Sequence, residues 1–450
     1  MGNRMFQNQT ILVLGIAKSG NAVSRLLKKL GAHVVVNDKN KVEPASYGEQ
    51  LRILGCEVYD GGHPIELFDK YHFSLVVKNP GIPYQNIMVQ TALKRGISVV
   101  TEVEIAYLIN PAPMIGITGS NGKTTTTTLI FQMLAESAKH PLIAGNIGEV
   151  ASEVVQNATK ENVVVTELSS FQLMGTKKFR PHIAVVLNIF DAHLDYHGTK
   201  AEYIRAKMKI FANQTKTDFA VINIDDEYLA AERKNLSGTV IPFSVHTVDL
   251  AGAYIQNEAI YFQQEKIIDI KDILLPGVHN LENILAAVCA VKAYGGTTEA
   301  IVHILKTFQG VTHRLQFIKE WNGRKFYNDS KATNILATQK AIASFSNRLV
   351  LIAGGLDRGN SFDALIPSLK NVAVLIAYGE TKEKLCESAQ QARVSEIITV
   401  SDLPAAFHKA VTVSKAGDTI LLSPACASWD QFKTFEERGG MFVQLVNTLV

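Results

Sequence analysis

The chain has 450 residues and is 47% hydrophobic and 19% charged, which excludes a disordered, collagenous or coiled-coil protein and leaves room for roughly two to four domains. Lys+Arg (45) and Asp+Glu (42) almost cancel, so the net charge of +3 argues against a dedicated nucleic-acid binder. Cys56, Cys289, Cys386 and Cys426 lack the spacing of a zinc site or disulfide framework, and the longest uncharged stretch, 105–122, is broken by Pro111 and Pro113, against a membrane span.

In chain order, short β-branched runs alternate with amphipathic stretches. ILVLG (11–15), HVVVND (33–38), SLVVKNPG (74–81) and SVV (98–100) read as strands separated by helices. A second set starts at 113–119 and continues through 163–170, 182–189 and 219–225. Between 238 and 270, VIPFSV, AYIQN and AIYFQQ alternate and read as hairpins on a sheet edge. A third set follows His313-Arg314: KFYNDS, RLVLIAGG, VAVLIAYG, EIITV and DTILLSP. The rhythm predicts an α/β protein of three domains with mostly parallel, doubly wound sheets, divided at 1–101, 102–310 and 311–450.

The strongest local signal is GITGSNGKTTTTT (116–128). An apolar strand enters a Gly-rich turn and then opens a helix, the setting of a phosphate-binding loop. Gly116 stands in the entering strand, Gly119 and Gly122 let backbone N–H groups point into one concavity, Lys123 can neutralise phosphate charge and the Thr124 hydroxyl can ligate Mg²⁺; Gly116, Ser120, Asn121 and Thr125 complete the ATP-binding candidates. Five residues, not four, separate Gly116 from Gly122, a departure from the usual spacing. The first turn, LGIAKSG (14–20), is Gly-rich without being a dinucleotide fingerprint, and Asp38 ends the second strand 23 residues after Gly15. That pattern suits a nucleotide-containing ligand, or a turn serving only the fold.

Glu167 ends the strand VVVTE, where a carboxylate can hold Mg²⁺ or cap the next helix. Asp191, His193, Asp195 and His197 alternate in one loop; such a set can approach a metal, with His193 the foremost candidate, but for any one of them a solvated loop is the commoner role. On the helix at 202–211, Tyr203, Ile204, Ile210 and Phe211 all fall within about 60° of Lys207 at 100° per residue. Lys207 is therefore central to an apolar face, either snorkelling or buried as a reactive amine able to take up CO₂ as a metal-ligating carbamate. Asn280 and Asn283, at a helix start, can bind a base or ribose or cap the helix. Arg314, Asp329, Lys331, Thr333, Arg358 and Ser428 lie at strand–helix junctions of the third segment, where open sheets bind ligands.

GITGSNGKTT, GNIG (145–148), TELSSFQL (166–173), the N-x₄-H-x-D of 188–195, AKMKI (206–210), NIDD (223–226), HNLEN, HR, NDSKATN and LLSPACASWDQF occur in this order. With these residues the chain resembles the Mur ligase family over nearly its whole length. NDSKATN and SPACASWDQF point to the D-glutamate-adding branch, and DNPR, which marks the next ligase of the pathway, is absent. The resemblance implies a UDP-binding Rossmann-like domain, a central ATPase domain and a Rossmann-like C-terminal domain. It implies an ATP-dependent ligase for peptidoglycan precursors: a substrate carboxylate takes the γ-phosphoryl group, and the amine of D-glutamate attacks the acyl phosphate.

On the same resemblance, Lys123 and the loop hold ATP phosphates, Thr124 and Glu167 place one Mg²⁺, and His193 with a carbamylated Lys207 places a second. Asn146 approaches the transferring phosphate. Asn280, Asn283, Arg314 and Asp329 hold ATP. Lys331, Thr333, Arg358, Ser428 and Phe435 form the D-glutamate pocket. Gly15, Ile16, Ala17, Asp38, Lys39, Asn79 and Gly81 match UDP-sugar positions. Asn79 stands where Ser is common, Arg358 where some members have Lys, and Trp429 where some have a smaller apolar residue. The competing readings are another amino-acid-adding Mur-type or folylpolyglutamate-type ligase and, from a different class, a P-loop nucleotide sensor without amide chemistry. The expected protein is a cytoplasmic monomer acting on small molecules, without nucleic-acid or membrane partners.

Overall fold

A computed structural model describes residues 5–190 and 194–449. The chain divides into two compact units, Met1–Ile270 with Glu282–Ile304, and Lys271–Leu281 with Leu305–Val450.

The first unit holds two sheets. In the first, β1 (Thr10–Leu14), β2 (His33–Asp38), β3 (Glu57–Asp60), β4 (Phe73–Lys78) and β5 (Ser98–Thr101) are parallel, in the order β3-β2-β1-β4-β5. Strand order reverses between β1 and β4, the switch point at which doubly wound sheets bind ligands. Apolar side chains cover both faces: Ile11 and Val13 enter one core, Leu12 and Leu14 the other.

The second sheet comprises β6 (Met114–Thr118), β7 (Pro141–Gly145), β8 (Val163–Glu167), β9 (Ile183–Val186), β10 (Phe219–Asn223), β11 (Thr239–Ser244), β12 (Ala253–Gln256), β13 (Ala259–Phe262) and β14 (Glu265–Asp269). Its order is β14-β13-β12-β11-β10-β9-β6-β8-β7. The expected hairpins are only partly found. β12, β13 and β14 form an antiparallel meander, but VIPFSV belongs to β11, which runs parallel to β10 with Phe219 opposite Thr239. The reason lies in burial: Ile241, Pro242, Phe243 and Ser244 are buried in succession, the mark of a parallel strand rather than of a half-solvated hairpin.

The first two sheets are joined by polar contacts. Thr101 Oγ1 donates to the Gln172 carbonyl at 2.6 Å. The helix Glu102–Ile109 begins there and carries two buried carboxylates. Glu104 accepts the backbone N–H groups of Lys177, Lys178 and Phe179 at 2.9, 2.7 and 3.1 Å, and Glu102 accepts that of Ser152.

The second unit contains β15 (Gln316–Trp321), β16 (Arg324–Asn328), β17 (Leu349–Gly354), β18 (Val372–Tyr378), β19 (Glu396–Thr399) and β20 (Thr419–Leu422), in the order β15-β16-β20-β17-β18-β19. Only β15 is antiparallel to its neighbour. β17 shows why the sheet is doubly wound: Leu349, Leu351 and Ala353 enter one core, Val350 and Ile352 the other. Among the described residues no helix is long and apolar enough to cross a membrane.

Candidate active site

β6 is buried along its length and delivers the chain to the loop at Gly119–Gly122. The helix Lys123–Glu136 then starts from Gly122, whose φ of +84° favours glycine. A Cβ at Gly122 would lie 2.0 Å from Asn283 Oδ1, so close approach by Asn283 requires glycine a second time. Gly116 lies inside β6, not in the loop, and its missing side chain leaves room for Leu168, Ile210 and Pro181.

Asn188, at the end of the neighbouring strand, braces the turn. Its Oδ1 accepts from Asn121 N at 2.9 Å and its carbonyl from Ser120 N at 3.0 Å. Ser120 Oγ lies 2.9 Å from the Tyr203 hydroxyl. Thr124 and Thr125 are buried at the first turn of the helix.

Two lysines meet at this loop. Lys123 Nζ donates to the carbonyls of Gly119 (2.9 Å) and Ser120 (3.1 Å). Lys207 Nζ donates to the same Gly119 carbonyl at 2.8 Å and lies 4.7 Å from the Tyr203 ring centroid. Lys207 is 1% exposed, on a face shared with buried Tyr203, Ile210 and Phe211, as its helical spacing predicts. Burial, and next the charge of Lys123, hold its amine well below the ordinary lysine range. An anionic ligand would offset the Lys123 charge that bears on this amine.

Glu167 ends β8 and is 1% exposed. Its Oε1 accepts from Asn146 Nδ2 at 2.8 Å, while Oε2 is buried without a hydrogen-bond partner among the described residues. The helix-cap alternative fails: Ser169 caps Ser170–Met174 and Gln172 completes the capping box. A buried carboxylate oxygen without a partner is a donor atom suited to a hard cation, so Glu167 and the Thr124 hydroxyl fit Mg²⁺ in chemistry. Among the described residues no three His, Cys, Asp or Glu side chains form a metal cluster. Asp191 and His193, and the side chain of Asp195, lie outside the described residues. His197 turns inward instead, with Nε2 3.0 Å from Ser170 Oγ and its ring stacked on Phe171.

The first sheet brings its predicted residues to one end. Gly15 (φ +92°) follows β1, and Asp38 spends both carboxylate oxygens on the loops, accepting from Ile16 N and Asn40 N at 2.8 and 2.9 Å. Asn79 Oδ1 accepts from Gly81 N at 3.1 Å, and its Nδ2 donates to Ser19 Oγ at 3.0 Å. Ala17 and Lys39 are exposed at the same end. Gly20, not singled out by sequence, admits the Gly15 carbonyl, which would be 1.9 Å from a Cβ there.

The helix Val278–Ala293 carries both asparagines. Asn280 Nδ2 donates to the Pro276 carbonyl at 2.6 Å, while Asn283 packs against Gly122.

In the second unit, His313 (φ +62°) and Leu315 (φ +42°) hold left-handed backbone on either side of Arg314. Arg314 Nε has no hydrogen-bond partner among the described residues. Asp329 accepts from Ser423 Oγ (2.9 Å) and Leu315 N (3.1 Å), and burial pushes its carboxyl up to about 7. Lys331 Nζ lies 5.6 Å from the Phe435 ring centroid, and the Arg358 guanidinium 4.7 Å from that of Trp429. Ser428 is 2% exposed and its Oγ has no hydrogen-bond partner among the described residues. Thr333 follows in the same turn, its N–H donating to the Lys331 carbonyl.

Sequence reasoning missed the residue that joins these motifs. Arg438, fully buried, donates through Nε to Ser330 Oγ (3.0 Å) and through Nη2 to the carbonyls of Ser330 (2.9 Å) and Cys426 (3.0 Å). It thereby ties NDSKATN to SPACASWDQF. In the sequence it lies in an ordinary charged run, EERG, at the start of the last helix.

The fold defines a three-domain α/β protein whose central domain carries a Gly-rich loop between a buried strand and a helix. Its sequence matches the Mur ligase MurD-like N-terminal domain over residues 9–101, the Mur ligase middle domain over 117–291 and the glutamate ligase domain of Mur ligases over 313–426. It is 56% identical over 445 residues to UDP-N-acetylmuramoylalanine–D-glutamate ligase of Bacillus cereus, covering 99% of each chain. It is 55% identical, with the same coverage, to the protein of that name from Bacillus mycoides. UDP-N-acetylmuramate–alanine ligase (MurC) from Thermotoga maritima shares the fold at 18% identity and a TM-score of 0.60, covering 98% of this chain and 100% of that one. MurF ligase of the same organism, in complex with ADP, aligns at 17% identity with a TM-score of 0.58, covering 100% and 98%. The chain belongs to the Mur ligase family.

Proposed function

We propose that this protein joins D-glutamate to UDP-N-acetylmuramoyl-L-alanine, with cleavage of ATP to ADP and phosphate. The observation that carries the ligase reading is the loop at Gly119–Thr124 with Glu167 beside it, a site for phosphate and a divalent cation. Identity of 56% across the full length of a D-glutamate ligase supports the choice of amino acid.

The parts act as follows. The loop N–H groups and Lys123 bind the ATP phosphates, and Lys123 stabilises charge on the transferring phosphoryl group. Mg²⁺ supplies charge neutralisation at the phosphates; Thr124 and Glu167 would hold one ion, and His193 with Lys207, as its carbamate, a second. Asn146, oriented by Glu167, faces the phosphate. The carboxylate oxygen of the UDP-linked substrate attacks the γ-phosphorus and ADP leaves. The D-glutamate amine, having lost a proton, then attacks the acyl carbon, and inorganic phosphate leaves as the amide forms.

Gly15–Ala17, Asp38, Lys39, Asn79 and Gly81 would take the UDP-sugar. Lys331, Thr333, Arg358, Ser428 and Phe435 would take D-glutamate; the buried Ser428 hydroxyl supplies a donor and the two cations match two carboxylates. Asn280, Asn283, Arg314 and Asp329 complete the ATP assignment, and the three domains run 1–101, 102–310 and 311–450. We further take the protein to act as a cytoplasmic monomer. ADP release with UDP-N-acetylmuramoyl-L-alanine should depend on D-glutamate and be slight with L-glutamate or L-alanine. Nucleotide binding without amino-acid-dependent turnover would overturn the reading in favour of a sensor.

A further inference from the structure

Lys78 closes β4 and is 1% exposed, yet no carboxylate is among its hydrogen-bond partners. Its Nζ donates to the carbonyls of Asn79 (3.4 Å), Pro80 (3.2 Å) and Ile82 (2.9 Å) and to the Tyr196 hydroxyl (3.3 Å). Burial pushes its amine down to about 7. A buried cation is unfavourable against an apolar side chain unless it answers polar groups with no other partner. Here the carbonyls of the 79–82 turn point inward, and the cation fixes the turn that presents Asn79 and Gly81.

Tyr196 comes from the central domain, on the short helix Leu194–His197. Its hydroxyl lies 3.0 Å from the Pro80 carbonyl and 2.9 Å from that of Ile82. One hydroxyl proton is divided between two carbonyls here, so the hydroxyl holds Pro80 and Ile82 together while accepting from Lys78. Behind the hydroxyl, the Tyr196 ring packs edge-on against Phe171 at 4.4 Å. Phe171 stacks on His197 (5.3 Å), which meets Tyr203 (5.2 Å). Tyr203 is the residue that contacts both Ser120 and Lys207.

We propose that Lys78 and Tyr196 are positioning residues that couple occupancy of the Asn79–Ile82 turn to the phosphate loop. The inference rests on the reading of that turn as the UDP-sugar site. A ligand gripping Asn79 and Gly81 shifts the Pro80 and Ile82 carbonyls that hold the Tyr196 hydroxyl, and the ring moving with them passes the shift through the aromatic stack to Tyr203. The coupling is reciprocal, so either ligand tightens the other by the same factor.

Calorimetry tests this. The affinity of a non-hydrolysable Mg·ATP analogue is measured with and without saturating UDP-N-acetylmuramoyl-L-alanine, for wild type, Lys78→Met and Tyr196→Phe. Wild type should show tightening of about fivefold or more. Tyr196→Phe, which loses only a hydroxyl, should keep each separate affinity within about twofold while the tightening falls below about twofold. Lys78→Met should lose the tightening and weaken the UDP-linked ligand as well. A purely structural role would lower the melting temperature and leave the factor intact. A factor unchanged in Tyr196→Phe, or absent in wild type that binds both ligands, overturns the proposal. Failure of wild type to bind the UDP-linked ligand at all overturns the substrate assignment instead, and the coupling with it.

Discussion

Gly122→Ala tests the loop where the structure is most demanding. The backbone there has φ +84°, and an L side chain in the left-handed region costs roughly 1–2 kcal/mol. The new methyl would also sit 2.0 Å from Asn283 Oδ1 and 3.2 Å from Leu187 Cδ1. Asn283 is only 4% exposed, so its amide must retreat within a packed interior, at about 1–3 kcal/mol for such overpacking. Together these come to about 2–5 kcal/mol, which for a distorted loop means Mg·ATP binding weaker by roughly 30-fold to several thousand-fold. Calorimetric titration of a non-hydrolysable analogue reads it directly. Asn283→Ala in the same chain removes the overlap but not the strained φ. The double variant should therefore regain melting temperature over Gly122→Ala alone, stability being the readout because Asn283 is itself assigned to ATP. Binding of Gly122→Ala within threefold of wild type, or simple additivity of the two changes, would refute the account of the loop.

Lys123→Ala should remove about 2.7–4 kcal/mol or more of transition-state stabilisation while the circular dichroism spectrum stays native; near-normal kcat would dismiss the phosphate assignment. Lys207→Ala should inactivate, with partial rescue by a small carboxylic acid in the buffer, whereas Lys207→Arg should not recover because guanidinium cannot carry a carbamate; a high-resolution map of active, metal-bound protein showing a bare Lys207 amine would count against the modification. Burial lifts the Glu102 carboxyl from 4.5 to about 7, so the folded state holds a proton that the unfolded chain releases, and stability should decline by about 3 kcal/mol as pH rises from about 4.5 through 7. Glu102→Gln should flatten that decline in melting temperature, and an unchanged slope would assign it elsewhere. Arg438→Met should lose the D-glutamate site, read as a raised KM for D-glutamate with Mg·ATP affinity kept; an unchanged KM would show that Ser330 and Cys426 hold their places without it.

The parallel cores of all three sheets were legible because they are written as short β-branched runs between amphipathic stretches. The strands that escaped notice lack that signal. β3 (EVYD) is half-buried throughout, β7 starts on proline, and β15 (QFIKEW) is a mostly half-buried edge strand. The Lys207 helix succeeded because one face of a helix can be computed from spacing alone. Lys78 and Arg438 were invisible for the opposite reason: Lys78 answers the carbonyls of its own turn and the hydroxyl of distant Tyr196, Arg438 answers Ser330 and the Cys426 carbonyl, and no local pattern distinguishes such a buried cation from a solvated one. Glu167 could be placed at a strand end from sequence, but only the structure separates its partnered oxygen from the free one and gives the helix cap to Ser169.

The most direct test follows one oxygen atom. UDP-N-acetylmuramoyl-L-alanine carrying ¹⁸O in both carboxylate positions is turned over with Mg·ATP and D-glutamate, and the inorganic phosphate is analysed by ³¹P NMR. If the carboxylate takes the phosphoryl group before the amine attacks, each phosphate released carries one ¹⁸O from the substrate. Phosphate devoid of that label, in an assay that forms the amide, would contradict an acyl-phosphate route.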